Sequence, residues 1–352
     1  MHSINLLQIG RYPTYQIFLV VVVALLAAVA LFPLWIRLVR FRNIGQQVRA
    51  DGPQGHLIKA GTPTMGGVLI LLIISGVYLV MSKVDRLSLL VLGAMLGCGL
   101  LGFVDDYAKV LKERSLGLTA PAKIAWQVAV SVALCLLAVN WAGISPVVSL
   151  PLLGSSMDLG VLSTHVVLGT LKFTIPWLYL LLVLMMVISA SNTVNLTDGL
   201  DGLAAGTVTL IVFIFAMIAF RQNHLPVSLL AGAIAGACIG FLWYNAYPAD
   251  IFMGDTGSLG LGAAVAALAI VTKTELLLPL IGGIYVIEGL SVILQVASFK
   301  LTGRRIFRMA PIHHHFEMIG WSETKVMLRF WIVTGMLAGA GFALYFVSTF
   351  LR

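Results

Sequence analysis

The sequence is organised around one polar segment, Ser191-Asn192-Thr193-Val194-Asn195-Leu196-Thr197-Asp198-Gly199-Leu200-Asp201-Gly202. An apolar run flanks it on each side, and each run is long enough to cross a bilayer. Amides and carboxylates recur at every third position, Asn192, Asn195, Asp198 and Asp201, a spacing that groups side chains on a helix. Oxygen-bearing side chains grouped beside a membrane suit a hard cation and a phosphorylated ligand. A solvated turn is the plainer alternative.

Composition places the chain among membrane proteins. Apolar residues make up 60% of it and charged residues 10%, and its mean hydropathy is +1.02, whereas a soluble domain has about 25% charged residues. The first apolar run is too long for a signal-peptide core and lacks a small-residue cleavage site, so a retained helix is predicted. Cysteines lie singly in apolar runs, without disulfide or metal spacing, at Cys98, Cys135 and Cys238. We therefore expect an all-α polytopic integral membrane protein without redox chemistry.

Apolar windows of about 17 to 25 residues predict ten transmembrane helices. They lie near residues 16–36, 65–82, 87–104, 122–141, 175–191, 204–220, 227–243, 258–272, 276–298 and 326–350. An even number of spans places both termini on the same side of the membrane.

The connections between these spans fall into two sets with unequal charge. One set holds 15 of the 22 lysines and arginines, so the positive-inside rule makes it cytoplasmic and both termini extracytoplasmic. Ten of the 14 acidic residues lie on the same inner side, which predicts an active site on the cytoplasmic face. The net charge of +8 reflects mainly the excess of lysines and arginines on one side of the membrane. It favours contact with anionic lipid and does not indicate nucleic-acid binding. The outer connection over residues 143–174 lacks such a cluster and is predicted to be a plain loop.

Two inner motifs combine carboxylates with possible metal or phosphate chemistry. Asp105 and Asp106 end the third span, and their mutual repulsion suits either a metal site or a base acting on a phosphate; two water-facing acids at a helix end are the alternative. Gly254-Asp255-Thr256-Gly257-Ser258 places a carboxylate and two hydroxyls at a helix start, an arrangement that can hold Mg²⁺ against a diphosphate. Simple helix capping is the alternative there. Phe252 and Asn245 just upstream are suited to stack on and hydrogen-bond a base.

Two further inner motifs suit anions. Lys59-Ala60-Gly61-Thr62-Pro63-Thr64-Met65-Gly66-Gly67 offers a lysine, hydroxyls and glycines before a span, which can cradle a phosphate. A membrane-entry turn with a snorkelling lysine explains that motif about as well. Pro311-Ile312-His313-His314-His315-Phe316-Glu317 follows a basic run, and imidazoles beside cations fit an anion site. Zinc is the weaker reading, because adjacent histidines cannot all turn toward one ion.

Together these motifs resemble those of the polyprenyl-phosphate N-acetylhexosamine-1-phosphate transferase superfamily, of the glycosyltransferase 4 type, over essentially the whole chain. The His-His-His-Phe-Glu form favours the muramoyl-pentapeptide branch of that superfamily. The resemblance implies a single membrane-embedded catalytic domain over residues 1–352 in the bacterial inner membrane. It also implies transfer of phospho-N-acetylmuramoyl-pentapeptide from its UDP carrier, UDP-N-acetylmuramoyl-pentapeptide, to undecaprenyl phosphate with Mg²⁺ as cofactor. UMP is released, and the product is the first lipid intermediate of peptidoglycan synthesis.

The resemblance also implies roles for individual residues. Asp255 would ligate Mg²⁺, Asp105 or Asp106 would deprotonate or orient the lipid phosphate, and the histidines would contact donor phosphates. His314 joins the three aspartates in the catalytic set, while His313 and His315 join the substrate-binding set. The other expected substrate-binding residues are Lys59, Thr64, Asn192, Asn195, Asp198, Asp201, Asn245, Phe252 and Gln295.

Two alternatives compete with this reading. One is an N-acetylglucosamine-1-phosphate transferase of the same superfamily, and the other is a secondary transporter. The transporter is suggested by Glu288 and Gln295 within the ninth span, since a charge at the bilayer centre costs about 2.5–3.5 kcal/mol and usually marks function. The acids gather in inner loops and the chain has no internal repeat, both of which disfavour a transporter. In the enzyme we expect Glu288 to be structural or groove-lining, and either protonated or hydrogen-bonded to a neighbouring helix. The oligomeric state, a homodimer included, is left open.

Overall fold

A computed structural model describes residues 12–42, 61–111, 117–151, 153–168 and 171–350. Helices dominate these residues. Those before the middle of the chain are α1 (Pro13–Phe41), α2 (Gly66–Met81), α3 (Arg86–Leu111) and α4 (Ala120–Asn140). Those after it are α5 (Trp177–Thr197), α6 (Leu203–Arg221), α7 (Leu225–Asn245), α8 (Gly254–Val271), α9 (Leu278–Ile281), α10 (Gly283–Thr302), α11 (Ile312–Met318) and α12 (Glu323–Phe350).

The expectation of an all-α polytopic membrane protein is confirmed. Within the described ranges, nine helices are long and apolar enough to cross a membrane, and the shorter apolar α2 makes a tenth. Each predicted span falls on one of these ten helices. The largest difference at the start of a helix is in the ninth span, which was expected from residue 276 but begins at Gly283 in α10. The short helix α9 begins at Leu278 instead, with Pro279 in its first turn, and the N–H of Gly282 donates to the Leu278 carbonyl at its C-terminal end.

The connection over residues 143–174, which was expected to lie outside the cell, is not a plain loop, so the expectation of a plain loop was wrong. It forms two antiparallel hairpins, in which β1 (Val147–Leu150) pairs with β2 (Ser155–Asp158) and β3 (Ser163–Leu168) pairs with β4 (Leu171–Pro176). Valine, threonine, isoleucine and phenylalanine recur along β3 and β4, and such residues favour strands. Prolines and glycines in the same connection indicated turns, so these short strands were not predicted from the sequence.

Helix α8 lies at the centre of the bundle, and every residue from Thr256 to Val271 is buried. Glycine and alanine make up much of its sequence, and small residues let membrane helices pack closely. Helices α3 and α5 pack directly on α8. As a result the C-terminal ends of α3 and α5 meet the N-terminal end of α8 at one end of the molecule.

Candidate active site

A cluster of aspartates lies where α3 meets α8. Asp105 and Asp106 lie in the last turns of α3, and Asp255 lies in the first turn of α8. Each of the three offers a carboxylate oxygen, and these oxygens lie within 4.8 Å of one another. Asp105 and Asp106 are buried, whereas 15% of the Asp255 side chain is exposed. Converging carboxylate oxygens are the donor set that a hard divalent cation prefers, so the cluster can hold a metal ion.

Two lysines balance the negative charge of this cluster. Lys109 Nζ lies 2.8 Å from Asp105 Oδ2, 3.0 Å from Asp255 Oδ2 and 3.5 Å from Asp106 Oδ1. Lys123 Nζ, from the first turns of α4, lies 2.9 Å from Asp105 Oδ2 and 3.0 Å from Asp255 Oδ2. Sequence reasoning missed Lys123 as a site residue. Its only signal was a cation at the start of an apolar helix on the side of the membrane where the aspartates were expected.

Backbone contacts fix the position of α8 against α3. The backbone N–H groups of Asp255 and Thr256 donate to the Asp106 carboxylate at 3.2 and 2.9 Å, and the Thr256 hydroxyl donates to it at 2.8 Å. A carboxylate in this place satisfies free N–H groups at a helix start and complements the helix dipole. Gly102 makes the approach possible, since a Cβ there would come within 2.2 Å of the Asp255 carbonyl oxygen.

The polar segment at the end of α5 forms the next wall of the site. Asn195 Nδ2 donates to Asp255 Oδ1 and to the Ser258 hydroxyl, both at 2.9 Å, and so orients the Asp255 carboxylate. Asn192 Nδ2 donates to Gln127 Oε1 on α4 at 2.9 Å. Gln127 is a second site neighbour that sequence reasoning missed, although an amide inside an apolar span was its signal.

Asp198 follows directly after α5 and faces the same cluster. Its carboxyl group lies near the backbone of Gly254. Burial raises the pKa of the Asp198 carboxyl well above its usual range, and the negative charges of Asp255 and Asp106 raise it further. The structure therefore brings the paired aspartates, the Gly-Asp-Thr-Gly-Ser motif and the polar segment together in one site.

Three other residues expected at the ligand hydrogen-bond to the protein's own backbone. Asn245 accepts from the N–H of Gly202 at 3.0 Å and donates to the Ile251 carbonyl at 2.9 Å. Asp201 accepts from the N–H of Ala249 at 3.0 Å. Gln295 accepts from the N–H groups of Ile306 and Phe307 and donates to the Phe307 carbonyl. These contacts stabilise the conformation of the loops, and a role for these residues toward the ligand stays a prediction.

The loop before α2 also reaches the site. Phe252 donates its backbone N–H to the Pro63 carbonyl at 2.8 Å, and its carbonyl accepts from Gly66 at 2.9 Å. A Cβ at Gly254 would lie 3.3 Å from the Thr64 hydroxyl and 2.8 Å from Asp106 Oδ2. Thr64 thus lies beside the aspartate cluster. Lys59 lies outside the described residues.

The three histidines lie on the short helix α11. His313 Nδ1 lies 3.0 Å from Glu288 Oε1 on α10, and both side chains are fully buried, so the expected hydrogen bond from Glu288 to a neighbouring helix is present. His314 Nδ1 lies 2.6 Å from Glu317 Oε2. His315 Nδ1 accepts from the backbone N–H of Arg308 at 3.1 Å. The rings of His313 and His314 face Gly199 in the polar segment.

Fold and site define the class of this molecule: a multi-pass membrane protein with an acidic cluster, flanked by two lysines, that could hold a metal ion at one end of its helices. A model of glycosyl transferase family 4 matches residues 88–273, and signature 1 of the phospho-N-acetylmuramoyl-pentapeptide-transferases matches residues 59–71.

Curated relatives match over nearly the whole chain. A phospho-N-acetylmuramoyl-pentapeptide-transferase of Desulforudis audaxviator is 48% identical over 91% of this chain and 96% of its own length. Those of Frankia casuarinae and Shouchella clausii are 46% and 44% identical, over 93% and 92% of this chain and 96% and 95% of their own lengths. The chain belongs to the phospho-N-acetylmuramoyl-pentapeptide-transferase family. It is therefore a membrane-embedded transferase, and the transporter alternative is set aside.

Proposed function

We propose that this protein uses Mg²⁺ to transfer phospho-N-acetylmuramoyl-pentapeptide from UDP-N-acetylmuramoyl-pentapeptide to undecaprenyl phosphate, releasing UMP. The product would be the first lipid intermediate of peptidoglycan synthesis. One observation carries the proposal: Asp105, Asp106 and Asp255 converge with Lys109 and Lys123 at one end of the membrane helices. This arrangement matches a reaction in which both substrates are anionic phosphates and one is a lipid.

Electrostatics explains why such a reaction needs this kind of site. The acceptor phosphate and the donor diphosphate repel each other, and charge builds up on the leaving UMP. Mg²⁺ held by Asp255, with Asp105 and Asp106 beside it, would supply neutralising charge at the diphosphate. Two ammonium groups already lie within 3.0 Å of Asp255 Oδ2, so the chain itself provides further cationic donors for phosphate oxygens.

The remaining residues of the site orient and protect these groups. Asn195 fixes the Asp255 carboxylate, and Asp106 fixes the start of α8. Asp105 Oδ1 accepts from the N–H of Leu118 at 2.6 Å, which leaves Oδ2 facing the lysines. We assign Asp105 to hold or accept the proton of the lipid phosphate. An acceptor with a long apolar chain also explains why polar chemistry is built at the end of membrane helices.

The proposal places the site on the cytoplasmic face and both termini outside. The native cysteines, Cys98, Cys135 and Cys238, are buried, so an introduced cysteine would give a readable signal. In intact cells a membrane-impermeant thiol reagent should modify Tyr12→Cys but not Arg305→Cys, and permeabilisation should expose the second. The opposite pattern would reverse the topology.

Release of UMP by the purified protein tests the activity directly. The assay combines radiolabelled donor with undecaprenyl phosphate in detergent, with Mg²⁺ or with a chelator. We expect labelled lipid and UMP to form in equal amounts, only with Mg²⁺. A UDP-sugar that lacks the pentapeptide should be a poor donor; if UDP-N-acetylglucosamine served as well, the alternative within the superfamily would be correct.

A further inference from the structure

Helix α4 carries a polar side chain inside the bundle. Gln127 lies in the first half of this membrane helix, and its side chain is fully buried. An amide in an apolar interior costs free energy unless it is hydrogen-bonded. Gln127 Nε2 donates to the Ser191 hydroxyl at 2.8 Å, and Gln127 Oε1 accepts from Asn192 Nδ2 at 2.9 Å. Both partners belong to α5, so one side chain makes two hydrogen bonds between α4 and α5.

The face of α4 that carries Gln127 also carries Lys123, one turn earlier. Residues four apart on a helix lie one above the other. Lys123 Nζ lies 2.9 Å from Asp105 Oδ2 and 3.0 Å from Asp255 Oδ2, and these carboxylates belong to α3 and α8. Because a lysine side chain is flexible, the place of its ammonium group depends on where the helix backbone is held.

We infer that Gln127 is a positioning residue: its two hydrogen bonds fix α4 against α5, and this holds the Lys123 ammonium group between Asp105 and Asp255. Asn195 on α5 donates to Asp255 Oδ1 at 2.9 Å. Helix α5 therefore bonds both the helix that carries the cation and the carboxylate that receives it. The expected effect on turnover rests on the proposed function, in which this cluster is the active site.

Two other roles would account for the same hydrogen bonds. Gln127 could only stabilise the packing of α4 on α5, as interhelical hydrogen bonds do in membrane bundles. That role predicts a lower melting temperature and an unchanged Lys123. Gln127 could instead orient Asn192, whose Nδ2 also donates to the Ile188 carbonyl at 2.8 Å. That role predicts a loss of turnover that does not depend on Lys123.

Three substitutions separate these roles. Gln127→Met keeps an unbranched side chain of similar length and removes both hydrogen bonds, whereas Ser191→Ala removes one of them. Gln222→Met is the matched control, because Gln222 Nε2 donates to the Thr272 carbonyl at 2.8 Å and so joins the ends of α6 and α8 at the opposite end of the bundle. If Gln127→Met does not fold, Ser191→Ala carries the test.

The first measurement reads the environment of Lys123 without metal or substrate. Reductive methylation with formaldehyde and borohydride labels lysines, and mass spectrometry gives the rate for each one. Lys109 on α3 contacts the same carboxylates and serves as the internal reference. We expect Gln127→Met to raise the rate for Lys123 at least about twofold, as for residues of one network, and to leave the rate for Lys109 unchanged. Ser191→Ala should raise the Lys123 rate by less, and Gln222→Met should not change it.

The second measurement is turnover per folded molecule against Mg²⁺ concentration. Gln127→Met should lower both maximal turnover and the Mg²⁺ concentration for half-maximal activity, as removal of the Lys123 ammonium group should, but by a smaller factor. In a Lys123→Met background, Gln127→Met should change neither quantity further. Gln222→Met should lower only the melting temperature.

Different results would refute the inference or the proposed function. An unchanged methylation rate for Lys123 in folded Gln127→Met would overturn the inference, whether or not the protein is active, and would leave a packing role. A turnover loss that persists in full in the Lys123→Met background would overturn it as well and would assign Gln127 to Asn192. An inactive wild type with the expected methylation rates would refute the proposed function instead and leave the positioning of Lys123 established.

Discussion

Asp106, near the end of α3, accepts a 2.9 Å hydrogen bond from the backbone N–H of Thr256, 150 residues later at the start of α8. The contact lies beside the aspartate cluster, so the fold and the site depend on the same bond. It places Asp255, the neighbour of Thr256, with its carboxylate toward Asp105 and the two lysines. The central helix thus enters the bundle at the point where the metal site is proposed.

Asp255→Asn should abolish turnover without unfolding the protein. The substitution removes a negative charge from the proposed Mg²⁺ site, while the amide still fits the space and can still accept from Asn195. UMP release measured against Mg²⁺ concentration should show a loss that excess metal relieves only in part. Asp250→Asn, at an exposed position of the preceding loop, serves as the control and should behave like wild type. Near-normal activity with an unchanged Mg²⁺ dependence would remove Asp255 from the metal site.

Gly67→Ala should destabilise the protein, whereas Gly76→Ala in the same helix should not. A Cβ at Gly67 would lie 2.1 Å from the backbone nitrogen of Gly257 in α8, while a Cβ at Gly76 would meet nothing within 4 Å. Overpacking of this kind costs about 1–3 kcal/mol, and alanine in a free helix position is favourable by about 0.5–1 kcal/mol. Melting temperatures in detergent decide the matter. Equal melting temperatures for the two variants would show that α2 and α8 are not in close contact.

The helices could be predicted from the sequence because the cost of burying polar groups in a bilayer restricts each span to a long apolar run. The convergence of the inner motifs was predictable for a related reason, since charge sidedness places their loops on one face. The distances between side chains on different loops leave no comparable pattern in the sequence. That Lys123 would join Lys109 between Asp105 and Asp255 depends on how α4 packs, and no residue pattern in α4 encodes it.

The hydrogen-bond partners of Asn245, Gln295 and Glu288 could not be predicted either. A polar side chain in a loop or span satisfies its hydrogen bonds equally well with a ligand, the backbone or another side chain. Only the three-dimensional structure shows that Asn245 and Gln295 bond to backbone and Glu288 to His313. The hairpins of the outer connection were missed because prolines and glycines there outweighed short strand patterns.

Asp198→Asn should flatten the dependence of stability on pH in the absence of divalent metal. The pKa of Asp198 in the folded protein is raised well above its usual range by burial and by the charges of Asp255 and Asp106. A raised pKa means that the protonated group favours the folded state below about pH 4, the ordinary aspartate value. This contribution disappears as pH rises through the higher folded-state pKa.

Melting temperatures in EDTA between pH 4 and pH 8 test the prediction. The wild type should lose stability over this range relative to Asp198→Asn, and the two proteins should converge at the acid end. Asp250→Asn should keep the wild-type slope. A parallel pair of curves for wild type and Asp198→Asn would show that Asp198 ionises normally.

Lys123→Met should bind metal more tightly and turn over more slowly. Its ammonium group lies within 3.0 Å of carboxylate oxygens of Asp105 and Asp255, so its removal leaves the cluster more negative. The Mg²⁺ concentration for half-maximal activity should fall several-fold, because removal of one close charge changes the interaction by on the order of 1 kcal/mol. Maximal turnover should fall as well, since the donor phosphates lose a cationic partner. Lys300→Met, at an exposed end of α10, should change neither quantity. A rise in the Mg²⁺ concentration for half-maximal activity of Lys123→Met would contradict the assignment.

Substitutions of Asp105 and of Asp106 should affect turnover differently, although the two residues are adjacent. Successive residues of a helix point about 100° apart, and their partners differ accordingly. Asp105 Oδ2 faces Lys109 and Lys123 at 2.8 and 2.9 Å, whereas both Asp106 oxygens accept hydrogen bonds from the start of α8. We therefore expect Asp105 to act on the lipid phosphate and Asp106 to fix the position of Asp255.

The pH–rate profiles of Asp105→Asn and Asp106→Asn between pH 6 and pH 9 separate these roles. A phosphomonoester loses its second proton near pH 6, so an acceptor that is already fully ionised at high pH needs no base. The defect of Asp105→Asn should therefore shrink as pH rises, whereas that of Asp106→Asn should stay constant and ease with added Mg²⁺. Each profile is compared with wild type at the same folded fraction, so that a loss of stability does not mimic a loss of catalysis. Parallel, pH-independent defects in both variants would refute the different roles assigned to the two carboxylates, but not their place in the site.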